Sequence, residues 1–280
     1  PPAGAGPVGT RLPKYDINDA VLGRRPYVPD MAVPGMLHAA MRLSDHPRAK
    51  VLKIDTASAS AFPGVVKIFL ASDIPGRRLQ GSIIQDWHVM VAAGETTGYV
   101  GDVLALVIAD TRAHAQEAAR AVKVDYEVLT PIIDVPSALA PDAPKLMPKG
   151  NVLSVSKAKN GDATKALSEY DFVHEAVYQT QWIEHAYMEP EAALALPEDG
   201  RLIVYTQSQG IYEDRKQLAA MLAVSDDKID VVLVPNGGGF GCKEDMLAQS
   251  QAALAAHLLG KPVKLEITRE ESILMHSKRH

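Results

Sequence analysis

Pro235-Asn236-Gly237-Gly238-Gly239-Phe240-Gly241-Cys242-Lys243-Glu244-Asp245 decides how this chain reads. It joins the apolar run from Ile229 to Val234 to a stretch of helical composition from Asp245 to Leu259, and it gives four of the five positions from 237 to 241 to glycine. Such a run signals close approach of the backbone to something else. At a strand-to-helix turn, unpaired N–H groups face outward beside the positive end of a helix dipole, an arrangement that holds phosphates and oxyanions. The common nucleotide loops do not fit: a Walker loop needs Gly before Lys243 and Ser or Thr after it, where the chain has Cys242 and Glu244. A GxGxxG run from Gly237 would need Gly at 242. The plain alternative is a glycine turn that only lets strand meet helix. Phe240 argues for more, because an aromatic ring among glycines has nothing local to pack on and either plugs the core or walls a pocket.

Working outward, strands are expected at Leu202 to Thr206, Ile229 to Val234 and Val263 to Thr268, with a helix at Tyr212 to Ala223 and a second helix stopped by Gly260-Lys261-Pro262. Asp171 to Trp182 also reads as strand-like. The first half carries short β-rich runs at Val51 to Ile54, Val65 to Phe69 and Val103 to Ile108, then an Ala-rich helix from Thr111 to Ala121 and an alternating strand from Val122 to Val128. Residues 1–25 are rich in Pro and Gly and read as an unstructured lead-in, and the prolines of the 131–150 segment read as a linker. Both halves are mixed, so the fold class is α+β, and no repeat points to a solenoid or propeller.

Composition narrows the function. The 280 residues are 47% hydrophobic and 22% charged, as in a globular chain of about two domains. A net charge of −5 offers no basic excess for a polyphosphate backbone, so a nucleic-acid partner is not expected. No run reaches the roughly 18 apolar residues of a membrane-spanning helix. The single cysteine, Cys242, excludes an internal disulfide and a four-cysteine iron-sulfur site within this chain, and makes a cytoplasmic location the default expectation. The chain starts on Pro1 and stops at His280 without a closing element, which reads as part of a larger unit.

GGGFGxKE after an apolar strand resembles the molybdenum-pterin loop of the xanthine dehydrogenase and aldehyde oxidase family of molybdenum hydroxylases. The resemblance extends through Thr206-Gln207-Ser208-Gln209-Gly210, Met221-Leu222-Ala223-Val224, His185-Ala186-Tyr187-Met188-Glu189-Pro190, Pro262-Val263-Lys264-Leu265 and Thr268-Arg269-Glu270-Glu271. In the first half, Pro34-Gly35-Met36-Leu37-His38, Pro63-Gly64-Val65 and Tyr99-Val100-Gly101-Asp102 are similar to the a/b hammerhead domain of these enzymes. Leu43-Ser44-Asp45-His46-Pro47-Arg48-Ala49 looks most like the selenium-dependent xanthine dehydrogenase branch. The implied layout is a hammerhead domain at 26–130, a linker at 131–150 and the first part of a molybdenum-cofactor-binding domain at 151–280.

By that resemblance, Gln209, 31 positions ahead of Phe240, donates to the apical oxo ligand of molybdenum; its plain alternative is a strand-end Gln in a turn. Phe240 and Gly241 approach the metal through their main chain, with the ring lining the substrate cavity. Gly237, Gly238 and Gly239 offer N–H groups to the pyranopterin and its phosphate. Glu244 pairs with an N-heterocycle or, alternatively, only complements a helix dipole in its first turn. Cys242 is an inert small hydrophobe or a helix-terminal thiol of lowered pKa, and in neither case a ligand, because the pterin dithiolene holds the metal. His185 with Glu189 suggests support of the pocket or core packing, and His276 with His280 a solvated pair.

The resemblance implies hydroxylation of a purine or other small N-heterocycle with water as the oxygen source. It also implies a catalytic glutamate and a substrate-orienting arginine in the C-terminal half of the molybdenum subunit, and 2Fe-2S clusters and FAD on other domains or subunits. The chain alone is expected to be inactive. An aldehyde oxidoreductase of the same family, or a non-catalytic α/β binding module that keeps the fold, are the alternatives.

Overall fold

The computed structural model describes Gly9 and residues 11–278. Its frame is one seven-stranded mixed sheet, in the spatial order Ile229–Leu233, Arg201–Thr206, Ala192–Glu198, Val263–Glu266, Leu37–Leu43, Val103–Ala109 and Val65–Phe69. Leu37–Leu43 runs parallel to Val263–Glu266 and antiparallel to Val103–Ala109, so strands from both sides of the Pro-rich segment hydrogen-bond into a single sheet. Every residue of Val103–Ala109 is buried, which explains why this strand reads as a continuous apolar run and not as an alternation.

Helices cover the sheet. Arg112–Ala121 turns Ala115, Ala118 and Ala119 onto Ala40, Ala105, Val107 and Ala109, and small side chains on both partners let helix and sheet approach closely. Ile211–Leu222 and Gln249–Leu259 close the main core with Leu218, Met221, Leu222 and Leu254 against Leu106, Ile108 and Val204. Each such large side chain, fully removed from water, contributes roughly 1.5–3 kcal/mol. Lys123–Val128 pairs antiparallel with Ala49–Asp55 in a separate two-stranded ribbon.

Several elements differ from expectation. Asp171 to Trp182 forms no strand, because nothing among the described residues supplies a ladder along it; Phe172, Val177, Tyr178 and Trp182 stand exposed. The helix expected from Asp245 starts at Gln249, whose Oε1 accepts the N–H groups of Leu247 and Ala248, both at 3.1 Å, and keeps the preceding residues outside the helix. Ile17–Val21 is a one-turn helix inside the expected unstructured lead-in, and the Pro-rich segment contains the short helix Val135–Leu139. The strands Leu37–Leu43 and Ala192–Glu198 were not expected. The second forms a hairpin with Arg201–Thr206 across Asp199-Gly200, whose φ values of 49° and 73° are those an Asp-Gly hairpin turn adopts. After Val263–Glu266 the chain enters the helix Arg269–Met275 through a capping box in which Thr268 and Glu271 each satisfy the other's backbone N–H.

This topology places the Gly-rich segment. Arg201–Thr206, helix Ile211–Leu222 and Ile229–Leu233 form a β-α-β unit with parallel strands. Gln209 follows the end of the first strand and Gly237 the end of the second, so both lie off the same carboxyl edge, where open α/β sheets bind ligands.

Candidate functional site

Three glycines are dictated by what lies beneath them. A Cβ on Gly237 would sit 2.5 Å from Glu189 Cβ, one on Gly238 2.9 Å from Tyr187 Cβ, and one on Gly239 2.5 Å from Gln209 Oε1. The loop therefore rests its bare main chain on the 187–189 segment and on Gln209. Gly238 and Gly241 also take φ of 108° and 93°. Phe240 has φ of 53° although it carries a side chain, a conformation costing about 1–3 kcal/mol that persists only where surroundings enforce it and that concentrates at functional sites. Phe240 is 73% exposed, so it does not plug the core.

Gln209 locks onto the exit of the loop. Its Oε1 accepts the N–H groups of Gly241 (3.1 Å) and Lys243 (3.2 Å), and its own N–H donates to the Lys243 carbonyl at 2.8 Å. With the oxygen end committed, Nε2 is the end without a partner among the described residues. The N–H of Gly237 donates to Glu189 Oε2 (2.7 Å) and that of Gly238 to Asn236 Oδ1 (2.9 Å), while Asn236 Nδ2 donates to the Gln207 carbonyl at 2.7 Å. Among the loop amides expected to face a ligand, those of Gly237, Gly238 and Gly241 are thus taken within the chain. The N–H groups of Gly239 and Phe240 have no acceptor among the described residues. Glu244 is exposed in a bend five residues before helix Gln249–Leu259, so it is not a first-turn complement to that helix's dipole.

Below the loop lies a buried polar layer, of which the sequence reading named only Glu189, as pocket support or core packing with His185. The Lys243 ammonium, 2% exposed, is 3.3 Å from Glu189 Oε2 and 4.6 Å from the centre of the Tyr187 ring. Burial pulls the Lys243 pKa below the ordinary range, opposed by Glu189. The Tyr187 hydroxyl donates to Glu191, and burial followed by the charge of Glu191 raises its pKa. Arg269 donates to the carbonyls of Tyr187 and Met188. The advance signals for this layer were the 185–190 stretch and the Lys of the GGGFGxKE motif, both carried by the family resemblance, and neither showed that Lys243 and Glu189 meet.

Cys242 turns inward, its Sγ 3.2 Å from His185 Nδ1 and 3.4 Å from the Ser277 carbonyl. His276 is buried and edge-on to His185, contrary to the solvated pair expected; His280 lies outside the described residues. The ligating atoms of His185, Cys242 and His276 lie within 4.8 Å of one another. Here, though, His276 Nε2 is 3.0 Å from Glu184, and the Lys278 ammonium sits 3.3 Å from both Glu184 Oε2 and His276 Nδ1, so a cation already occupies this corner. Burial, with Glu191 and Glu184 adding to it, pushes the Cys242 thiol up to about 12. It is a protonated packing residue, not an activated thiol.

The outward donor set is therefore Gln209 Nε2 and the N–H groups of Gly239 and Phe240. Neutral donors with no sulfur or imidazole among them suit an oxo- or phosphate-bearing group held by hydrogen bonds, and do not suit a metal ligated directly by protein.

A family profile described as "Aldehyde oxidase and xanthine dehydrogenase, a/b hammerhead domain" matches residues 22–130, and one described as "Molybdopterin cofactor-binding domain" matches residues 146–280. A probable xanthine dehydrogenase subunit of Bacillus subtilis is 36% identical over 93% of this chain, and the nicotinate dehydrogenase large molybdopterin subunit of Eubacterium barkeri 33% identical over 98%. This chain spans 35% of the first protein and 64% of the second. Among solved structures, the aldehyde oxidoreductase of Desulfovibrio gigas superimposes with a TM-score of 0.90 at 27% identity, covering 97% of this chain and 31% of that one. Among the described residues, no helix is long and apolar enough to cross a membrane.

Proposed function

Because this chain belongs to the aldehyde oxidase and xanthine dehydrogenase family, we propose that it is the N-terminal part of a molybdenum hydroxylase that hydroxylates a purine or another N-heterocycle with oxygen from water. The observation that carries this reading is Gln209: two backbone N–H groups fix its Oε1, leaving Nε2 as an outward donor beside Phe240. The molybdenum-pyranopterin would supply the oxygen-transfer and redox chemistry. The chain's own part would be to hold that group: Gln209 Nε2 and the N–H groups of Gly239 and Phe240 would donate to its oxygen atoms, and the exposed Phe240 ring would line the substrate side. Glu244, exposed next to this rim, contacts the ring nitrogens or carbonyls of the substrate. The acid-base glutamate and the substrate-orienting arginine come from the C-terminal half of the molybdenum subunit, and iron-sulfur and flavin partners carry the electrons away. The enzyme works in the cytoplasm, and this chain by itself does not turn over.

The test is to purify the full-length protein with its partners, measure molybdenum and pterin, and compare xanthine, nicotinate and a simple aldehyde as substrates. Absence of molybdenum, or unchanged turnover after Gln209→Ala, overturns the assignment. Preference for the aldehyde, with equal losses on all three substrates after Glu244→Ala, would refute the N-heterocycle and support an aldehyde oxidoreductase.

A further inference from the structure

The Gly-rich loop is gripped at two places by one atom. Glu189 Oε2 accepts the N–H of Gly237, where the loop begins, at 2.7 Å, and lies 3.3 Å from the Nζ of Lys243, where it ends. Glu189 can act as an anchor because its own segment is pinned from several directions. Arg269 holds the carbonyls of Tyr187 and Met188, and Gln207 Nε2 donates to the Pro190 carbonyl at 2.9 Å. The N–H of Ile267 donates to the Glu191 carbonyl at 3.0 Å, and the Tyr187 hydroxyl bonds Glu191. Ala186 is held at φ of 48°, so the turn leading into this segment is enforced as well. The absence of a side chain on Gly237 lets the main chain come down onto Glu189, and a Cβ there would meet the Glu189 stem.

We infer that Glu189 is a positioning residue of this site: its carboxylate, neutralised by Lys243, ties the entry of the Gly-rich loop to its exit and so fixes where Gly239, Phe240 and Gln209 present their donors. This rests on the reading of the loop as the cofactor-bearing element, and it replaces the general expectation of pocket support or core packing for Glu189 with two specific contacts. Both partners are needed. A buried carboxylate without Lys243 is an uncompensated charge, and a buried ammonium without Glu189 is another, whereas removing both charges while keeping an acceptor for Gly237 relieves the conflict. Lys243 also joins the two clamps, because its backbone N–H binds Gln209 Oε1 while its ammonium faces Glu189.

The experiment is amide hydrogen exchange on the full-length protein, comparing wild type with Glu189→Gln, Glu189→Ala, Lys243→Met and the double variant Glu189→Gln/Lys243→Met. Peptides covering 235–246 report the loop, and peptides from Val103–Ala109 and Ile211–Leu222 report the fold. Expected are exchange roughly tenfold faster in the loop for Glu189→Ala and for Lys243→Met, the order of one buried hydrogen bond lost, with the fold peptides unchanged. Protection is expected to return in the double variant, whose introduced side-chain amide still offers a carbonyl oxygen to the N–H of Gly237. Loop exchange in Glu189→Ala within twofold of wild type overturns the inference, as does a double variant no better protected than Lys243→Met. If Glu189→Ala does not fold, the comparison of Lys243→Met with the double variant decides alone. Molybdenum content, measured on the same samples, separates the two ideas: a wild type without metal defeats the proposed function and leaves the exchange result to judge Glu189.

Discussion

Gly239→Ala tests the geometry of the candidate site most directly. Gly239 does not use a left-handed backbone, so alanine meets no conformational penalty there and the change is purely steric. The new Cβ would lie 2.5 Å from Oε1 and 2.9 Å from Cδ of Gln209, inside contact distance, and the exposed amide is free to swing away. Swinging away strips the acceptor from the N–H groups of Gly241 and Lys243, at about 1 kcal/mol each, and water replaces the bond to the exposed Gly241, so the net loss of stability is about 1–2 kcal/mol. The functional cost is larger. A donor aimed at a charged or oxo group is worth about 1.5–3 kcal/mol, which is roughly 10- to 100-fold in turnover if the bond is made in the transition state. Gly210→Ala is the control, because its Cβ would meet only the Glu244 carbonyl at an ordinary 3.7 Å. Chemical denaturation, molybdenum content and turnover on xanthine or nicotinate, measured for both variants, give the answer. Turnover by Gly239→Ala within threefold of Gly210→Ala would refute the role given to the Gln209 amide.

Asp214 is fully buried, and burial, strengthened by Asp245 and Glu213 against the hydrogen bonds from Ser208 and Gln249, raises its pKa from 3.8 to about 7. A raised carboxyl pKa leaves stability unaffected below pH 3.8, costs progressively more as pH climbs toward 7, and reaches about 4 kcal/mol above that, so Asp214→Asn should gain on wild type at pH 8 and not at pH 4 in denaturant titrations; an equal difference at both pH values refutes the cause. Cys242, 4% exposed and with its thiol pushed up to about 12, has a thiolate fraction on the order of one in ten thousand at pH 8. Iodoacetamide should leave it untouched in the folded protein and modify it fully in guanidinium, which mass spectrometry reads directly. Phe240→Gly removes a left-handed strain of about 1 kcal/mol or more and loses little burial, so thermal stability should hold or rise while kcat/KM for a heterocyclic substrate falls about tenfold; an unchanged kcat/KM would remove the ring from the substrate wall.

The parts of the fold that showed in the sequence are those whose pattern is local. Val103–Ala109 is apolar at every position because both faces are covered, and Arg112–Ala121 carries its own Thr111 cap, which accepts the His114 N–H. Leu37–Leu43 gave no such signal because Ala39, Ala40 and Met41 are buried together and leave no alternation, and its place in the interior of the sheet, beside the central strand Val263–Glu266, depends on a partner more than 200 residues away. The error at Asp171 to Trp182 is of the opposite kind: its composition suits a strand, but a strand exists only where another chain segment offers its N–H and C=O groups. The Asp199-Gly200 turn, by contrast, is a local hairpin signal, and it is the one feature from which the strand Ala192–Glu198 could have been read.

At the site, the glycines were legible and their cause was not. Consecutive glycines suggest room for a ligand above the loop, but the contacts that forbid side chains at 237, 238 and 239 come from Glu189, Tyr187 and Gln209 below or beside it. A loop pressed onto a polar layer must satisfy its own amides there, so Gly237, Gly238 and Gly241 spend their N–H groups inside the chain. The donors left over are set by that inward packing: among the described residues, the amides of Gly239 and Phe240 and the Nε2 of Gln209 have no partner. The same packing accounts for the strained Phe240, since a residue bounded on one side by glycines bound to Glu189 and Asn236 and on the other by amides bound to Gln209 has both ends fixed and takes the backbone conformation that joins them. Loosening either clamp should let Phe240 relax, which is why changes at Glu189 and at Gly239, on different faces of the loop, are expected to disturb the same donor set.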